Sequence, residues 1–178
     1  MNIELLSEHG YEEAALGFSL SYNTSVERAK VLMPKYAHGA APGENKFLRI
    51  IWLWFDVDFP RLLWQESDQY KVATTTLSES TIHTLSKRQL TQEDFVLRIS
   101  NTMLGAINKK IIEYNEKKIN MTILKAHLPE GFLQRRIWNM NYATLQNIVC
   151  QRQSHKVKLW DDFIEKAMSS IQHPEFIK

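Results

Sequence analysis

The sequence is poor in cysteine and in long hydrophobic runs. One of its 178 residues is cysteine, Cys150, so no disulfide can form within the chain, and this usage favours a reducing compartment. No apolar window reaches the length of a transmembrane helix, and residues 1–10 lack the basic and apolar regions of a signal peptide. We therefore expect a soluble, cytoplasmic protein with no membrane partner.

An excess of charge of one sign is also missing. The chain has 22 Lys and Arg against 20 Asp and Glu, a formal net charge of +2, and the basic residues are interspersed with acidic ones. This balance argues against a nucleic-acid polymer as partner but leaves small anions open as ligands. His and Cys residues with metal-ligand spacing on a clear element are lacking, so we predict no metal.

The chain is long enough, and rich enough in aromatic residues, to form a hydrophobic core. We expect one domain over residues 1–178, because nothing in the sequence requires a second. Five tryptophans are present, and Trp52, Trp54 and Trp64 lie within thirteen residues of each other. We expect some of them at a subunit interface or a ligand pocket.

Apolar patterning predicts a sheet among helices. Residues 47–57 and 132–138 read as strands, and residues 71–76 as a strand or extended loop. A capping-box-like sequence at Thr91 opens a predicted long helix whose apolar residues reach Tyr114. Further predicted helices cover residues 11–20, 60–70, 121–127 and 157–171, with a short one after Ser25 that breaks near Pro34.

Two segments carry polar groups that suit a binding site. The loop 38–45 is rich in Gly, Pro and Asn, a composition that often carries binding groups. Residues 128–155 run from a turn through a strand into a helix with Leu145, Ile148 and Val149 on its buried face, and Cys150 is expected on the same side. The amide and guanidinium groups elsewhere on this helix either form an ordinary solvated face or bind a planar, anionic ligand such as a nucleotide.

The spacing of residues in this second segment resembles the flavin-dependent thymidylate synthases. That family has a Leu-Pro turn, a Trp, two Asn around a Leu, then Arg and His. This sequence supplies Leu128, Pro129, Trp138, Asn141, Leu145, Asn147, Arg152 and, displaced by one residue, His155. The resemblance implies an α/β fold of the α+β type, with a central, mainly antiparallel sheet flanked by helices.

The family methylates deoxyuridine monophosphate (dUMP) with FAD, NADPH and methylene-tetrahydrofolate. By resemblance, Arg152 contacts the nucleotide base, whereas Asn141, Asn147 and His155 line the flavin site. Lys125 stands where the family has a substrate-binding Arg, so the charge is kept and the bidentate geometry is lost.

The family's Arg-His-Arg signature falls on Gln69, Tyr70 and Lys71. Of the three basic side chains in that signature, only the last has a positively charged counterpart here, Lys71. Ser80 matches a Ser that lies beside the reacting carbon, and its alternative role is a helix or turn cap. A second family signature, with two His, falls on residues 44–50, which contain none.

These matches leave two classes of function open. One is a divergent flavin-dependent enzyme acting on dUMP or another pyrimidine nucleotide. The other is a non-catalytic protein, for instance from a phage, that binds or sequesters a nucleotide on the same fold; a purely structural oligomer is a third.

Both main hypotheses share a predicted pocket and assembly. In this pocket the predicted nucleotide-binding residues are Arg152, Lys125, Lys71, Gln69 and Tyr70, and the ring of Tyr70 is available for stacking. We also expect a homotetramer, because sites of this family are assembled from several subunits.

Overall fold

The predicted fold class is confirmed. The computed structural model describes residues 1–39 and 43–178, and over these it contains four strands and eight α-helices. The strands form one antiparallel sheet of order β1-β2-β4-β3, flanked by helices. The elements are β1 Ile3–His9, α1 Tyr11–Ser21, α2 Val26–Ala37, β2 Trp52–Pro60, α3 Arg61–Ser67, β3 Thr74–Ser78, α4 Thr81–Thr84, α5 Asn101–Asn115, α6 Met121–Ala126, β4 Leu133–Asn141, α7 Tyr142–Arg152 and α8 Leu159–Ser170.

Strand β2 shows why the sheet has a buried face. Its alternate residues Leu53, Phe55 and Val57 are fully buried, as the period of two in a strand requires. β1 pairs with it antiparallel from Ile3 opposite Val57 to His9 opposite Trp52, and the register shifts between Leu5 and Ser7. No helix among the described residues is long and apolar enough to cross a membrane.

The contacts divide the chain into two compact units. Unit 1 comprises Met1 and residues 58–69 and 77–136, and unit 2 comprises residues 2–57, 70–76 and 137–178. In unit 1, Phe95, Ile107, Leu124 and Phe132 belong to one apolar core. In unit 2, Phe163 of α8 packs against Phe55 and Trp138, with ring centroids 6.1 and 5.5 Å away. The expectation of a single domain over residues 1–178 stays a prediction.

The prediction of a helix starting at Thr91 was wrong for its first ten residues. Thr91 and Asp94 do form a capping box, but it caps a single 3₁₀ turn, Gln92–Asp94. The side chain of Gln92 then binds both backbone groups of Ile99, and Phe95 bridges to Phe132 as a strand residue would. These contacts keep the chain out of an α-helix until Ser100, whose side chain caps α5.

The predicted break at Pro34 was also wrong. Helix α2 continues through Pro34 to Ala37. Ala29, Met33 and Ala37 are buried at spacings of four on one face, and this burial offsets the hydrogen bond that proline removes.

Three further details differ from the expectations. The first predicted strand starts at Trp52, because Lys46–Arg49 forms a 3₁₀ turn. Cys150 is exposed, because the helical phase of Leu145 and Ile148 points it away from the core. Of the predicted binding loop 38–45, residues 40–42 lie outside the described residues.

Candidate functional site

Arg152 and Tyr70 meet at the end of helix α7. The Nε of Arg152 donates to the Tyr70 hydroxyl at 2.7 Å, and that hydroxyl donates to Oε1 of Gln151 at 3.1 Å. Tyr70 is 8% exposed. The segment that follows α3 therefore lies against the last turn of α7, although the two are 82 residues apart in sequence.

The guanidinium of Arg152 lies over two aromatic rings. Its central carbon is 5.4 Å from the ring centroid of Tyr70 and 5.1 Å from that of Trp160, which is fully buried at the start of α8. Both distances fall within the range of cation–π attraction. The positive charge also complements the negative end of the α7 dipole. The two rings and the hydroxyl fix the plane of the guanidinium, which prepares it for directional hydrogen bonding.

A tight turn after α7 brings His155 back to Arg152. Ser154 has the left-handed conformation, with φ of 63°, and the N–H of His155 donates to the carbonyl of Arg152 at 3.1 Å. The Nε2 of His155 then lies 3.1 Å from Nη1 of Arg152, and its Nδ1 accepts from the N–H of Val157 at 3.2 Å. The one-residue displacement of this His does not separate it from Arg152.

Asn141 is a structural cap. Its Oδ1 accepts from the N–H of Thr144 at 2.9 Å, its amide donates to the carbonyl of Arg49 at 3.3 Å, and it is 4% exposed. The residue thus starts α7 and ties it to the turn before β2. Thr144 in turn donates to the carbonyl of Val72 at 3.0 Å, which holds the segment containing Tyr70 and Lys71 to α7.

Asn147 lies on a different face of α7, at a cavity of about 570 Å³ in unit 2. Its Oδ1 accepts from Gln151 at 2.8 Å. The cavity is also lined by Ala143, Gln146, Cys150 and Gln153 from α7 and its end, and by His38, Asn45 and Lys178. The side-chain amide of Gln146 donates to the carbonyls of Ala37 and Phe176, at 3.1 and 2.9 Å. The remaining amides suit a ligand rich in hydrogen-bonding groups.

The three residues that the family resemblance assigns to flavin are therefore not equivalent here. Asn147 faces a cavity, Asn141 is engaged in capping, and His155 contacts Arg152 and Val157. Of these three residues, Asn147 alone lines a cavity in which a flavin could be bound, so the set fits a flavin only in part.

Four further residues were predicted for the site, and they fall in both compact units. Lys71 is exposed in unit 2, directly after Tyr70. Gln69, Ser80 and Lys125 belong to unit 1, where Gln69 and Ser80 are exposed and Lys125 is half-buried on α6. Ser80 precedes the short helix α4, and its carbonyl, not its hydroxyl, accepts from His83 and Thr84.

Two residues with notable contacts were not assigned a place from the sequence. One is Trp160, whose ring can be recognised as part of the site only once α8 is seen to pack beside α7. The other is Arg136 in unit 1, since the pair Arg135 and Arg136 predicted one inward-pointing side chain without showing which.

The inward-pointing residue is Arg136. Its guanidinium lies 4.3 Å from the ring centroid of Trp64 and binds Asp68 and Gln134, at 3.2 and 3.1 Å. Burial lowers the pKa of Arg136 below its ordinary value, and Asp68 opposes that shift. Its Nε has no hydrogen-bond partner within the described part of the chain.

The fold has close counterparts among solved structures. No protein-family model matches the sequence, and neither does any curated protein. Thymidylate synthase X (ThyX) from Helicobacter pylori, crystallised with FAD and dUMP, superposes with a TM-score of 0.82 over 99% of this chain and 97% of that one, at 16% identity. A second structure of the same enzyme, also with FAD and dUMP, gives a TM-score of 0.83 over 100% and 98% of the two chains.

This chain has the fold of ThyX. The UMP/dUMP methylase PolB from Streptomyces cacaoi, bound to 5-Br UMP, is more distant, with a TM-score of 0.66 over 94% of this chain and 86% of that chain, at 13% identity. At such identities the likeness establishes the ThyX fold and leaves the activity to be argued from the residues.

Proposed function

We propose that this protein binds a pyrimidine nucleotide at the end of α7, with Arg152 as the principal charged donor. The observation that carries the proposal is the contact between Arg152 and Tyr70. These two residues were matched separately to the substrate and signature segments of the flavin-dependent thymidylate synthases, and chance matches in two distant segments have no reason to lie together.

The local chemistry supports a planar, anionic ligand. Tyr70 and Trp160 hold the guanidinium of Arg152 in a fixed plane, so little conformational entropy is lost when it binds a carbonyl or a phosphate. Lys71, exposed beside Tyr70, supplies a point charge for phosphate. The solved structures of the same fold carry dUMP or 5-Br UMP, which favours dUMP or UMP as the ligand. Gln69, Ser80 and Lys125 keep the roles predicted from the sequence, nucleotide binding for Gln69 and Lys125 and catalysis for Ser80.

Binding can be tested by calorimetry with dUMP, UMP, cyclic dinucleotides and FAD. Arg152→Ala removes charged hydrogen bonds worth about 1.5–3 kcal/mol, so affinity for the bound nucleotide should fall by roughly ten- to a hundredfold. Arg152→Lys keeps the charge and should recover part of the loss. Arg98→Ala, at an exposed arginine of unit 1, is the matched control and should bind as the wild type does. A wild type that binds none of these nucleotides would contradict the proposal, as would unchanged affinity in Arg152→Ala.

The second candidate function is a flavin-dependent methylation of dUMP. The cavity beside Asn147 and the FAD in both ThyX structures favour it. The engaged Asn141 and the neutral Gln69 and Tyr70 favour binding without chemistry, because the family uses cationic groups there to stabilise reduced flavin.

The two candidates are separated by one assay on the purified protein. Formation of thymidine monophosphate from dUMP in the presence of FAD, NADPH and methylene-tetrahydrofolate identifies the enzyme. A protein that binds dUMP, stays colourless with FAD and forms no product is a nucleotide-sequestering protein.

A further inference from the structure

A second cavity, of about 510 Å³, lies in unit 2 on the inner side of helix α1. One wall is α1 with its C-cap residue Tyr22, and it includes Gly17 and Phe18. The other is the segment leading into β2, with Glu44, Lys46 and Phe47. It shares no lining residue with the cavity on α7. Arg152, Tyr70 and Lys71 do not line it either, so this cavity is distinct from the site proposed for the nucleotide.

Aromatic rings form the apolar part of this cavity. Phe18 stacks on Tyr22 with ring centroids 4.6 Å apart and meets Phe47 edge-on at 5.5 Å. Phe18 and Phe47 are each 5% exposed, so these rings are held by packing. Fixed aromatic walls offer flat apolar contact and attract cations to the ring faces.

The floor of the cavity is kept open by Gly17. Apart from its two chain neighbours and the backbone of α1, no described atom lies within 4 Å of the position that a Cβ would take at Gly17. A glycine inside a helix costs about 1 kcal/mol relative to alanine. The backbone of Gly17 is helical and would accept a larger side chain, so it is the choice of glycine that leaves this part of the cavity empty.

The two charged residues that line the cavity differ in solvent exposure. Glu44 is half-buried, whereas Lys46 is exposed at the rim. Burial first, and then the neighbouring Tyr36 and the carboxylate of Glu44, raise the pKa of Tyr22 above its ordinary value. Both residues line the cavity, so a ligand that enters meets a carboxylate acceptor from Glu44 and an ammonium donor from Lys46.

We propose that this cavity binds a small molecule with a flat apolar body and a protonated amine. The body lies against Phe18, Tyr22 and Phe47 over the open floor at Gly17, and the amine donates to the carboxylate of Glu44. A molecule that also carries a carboxylate, such as an aromatic amino acid, can reach Lys46 as well.

The test uses two probes of similar shape and opposite charge, 2-phenylethylamine and 3-phenylpropionate. Calorimetry should show that the wild type binds the amine more tightly than the acid. Glu44→Gln should weaken binding of the amine roughly ten- to a hundredfold, because a hydrogen bond between charged groups is lost. Gly17→Leu should abolish binding by filling the floor.

Gly105→Leu is the matched control, since Gly105 also lies within a helix and, apart from its two chain neighbours and the helix backbone, has no described atom within 4 Å of its Cβ position. Both Leu variants gain helix propensity, so thermal melting should show that each is folded and at least as stable as the wild type. Calorimetry with dUMP on Gly17→Leu should match the wild type, which separates this cavity from the nucleotide site. Equal binding of the two probes, no binding of the amine, or undiminished binding by folded Gly17→Leu would overturn the proposal.

Discussion

The Nε of Arg152 donates a 2.7 Å hydrogen bond to the hydroxyl of Tyr70. The two side chains should therefore be energetically coupled. Tyr70→Phe keeps the ring and removes the hydroxyl, at an expected cost of about 0.5–1.5 kcal/mol in the free energy of unfolding. In a double-mutant cycle with Arg152→Lys, measured by urea denaturation, the double variant should lose less than the sum of the single losses. Strict additivity would mean that this hydrogen bond contributes nothing in solution.

The buried hydroxyl of Tyr142 should stabilise the fold through Glu8. It donates to Oε1 of Glu8 at 2.6 Å, while Oε2 of Glu8 accepts from the N–H of Gln172 at 2.8 Å. Burial, followed by the bond to Glu8, raises the pKa of Tyr142, so the phenol remains a donor at neutral pH. Tyr142→Phe should cost about 1.5–3 kcal/mol in chemical denaturation. Tyr114→Phe, at a half-buried tyrosine of unit 1, should change stability by less than about 0.5 kcal/mol.

Asp94 should make part of the stability of unit 1 dependent on acid. Burial raises the pKa of this carboxyl, but hydrogen bonds from Arg88 and Thr91 outweigh burial and leave the pKa below its ordinary value. A carboxyl with a lowered pKa stabilises the fold above its unfolded pKa, and this stabilisation is lost as the pH falls through the folded pKa.

Asp94→Asn should therefore reduce the free energy of unfolding more at about pH 7 than at about pH 3, as measured by urea titrations at both values. The control is Asp161→Asn, whose side chain is 48% exposed beside Lys158 and should show little effect at either pH. An equal cost for Asp94→Asn at both values would show that its charge does not matter.

Gly10 and Gly17 should respond oppositely to the same substitution. Gly10 precedes α1 with φ of 98°, and a Cβ there would lie 2.3 Å from the carbonyl oxygen of Ile50. Gly10→Ala should destabilise the protein by at least about 1–2 kcal/mol, from the left-handed backbone alone. Gly17→Ala should stabilise it by about 0.5–1 kcal/mol. Thermal melts of the two variants compare them directly, and a melting temperature for Gly10→Ala at or above that of the wild type would contradict the expected strain.

We expect the protein to form a homotetramer. Leu16 and Leu20 lie one turn apart on α1 and are 52% and 75% exposed, which is typical of an interface that is still uncovered in the single chain. Light scattering should give four times the chain mass of 20.9 kDa. Replacing both leucines by serine should lower the mass if α1 forms part of the interface. A monomer at micromolar concentration would rule out the tetramer.

Local patterns predicted most elements because their causes are local. Phe55 and its neighbours form a buried strand, and the buried residues of α7 and α8 recur at the spacing of a helix, as the sequence indicated. The family resemblance rested on the spacing of Asn141, Arg152 and their neighbours, and it led to the correct fold although no family model matches. Spacing is retained when side chains change, because it reflects the backbone that the fold requires.

Tertiary contacts decided what each polar residue does. Asn141 was a candidate flavin ligand by its position, but its side chain caps α7 because the carbonyl of Arg49 and the N–H of Thr144 lie next to it. The stretch after Thr91 carries a capping signal, yet Gln92 and Phe132 hold it outside the helix.

By itself, the sequence determined the α/β fold, the position of most helices and strands, and the two segments that meet at Arg152. Hydrophobic periodicity located the elements, because it depends on residues that are close in sequence, and the family resemblance supplied the fold and paired the two segments. Only the tertiary structure decided that Tyr70 and Trp160 flank the guanidinium of Arg152, that Arg136 rather than Arg135 stacks on Trp64, and that Gly17 opens a cavity. These arrangements depend on residues distant in sequence, whose proximity is set by how the elements pack.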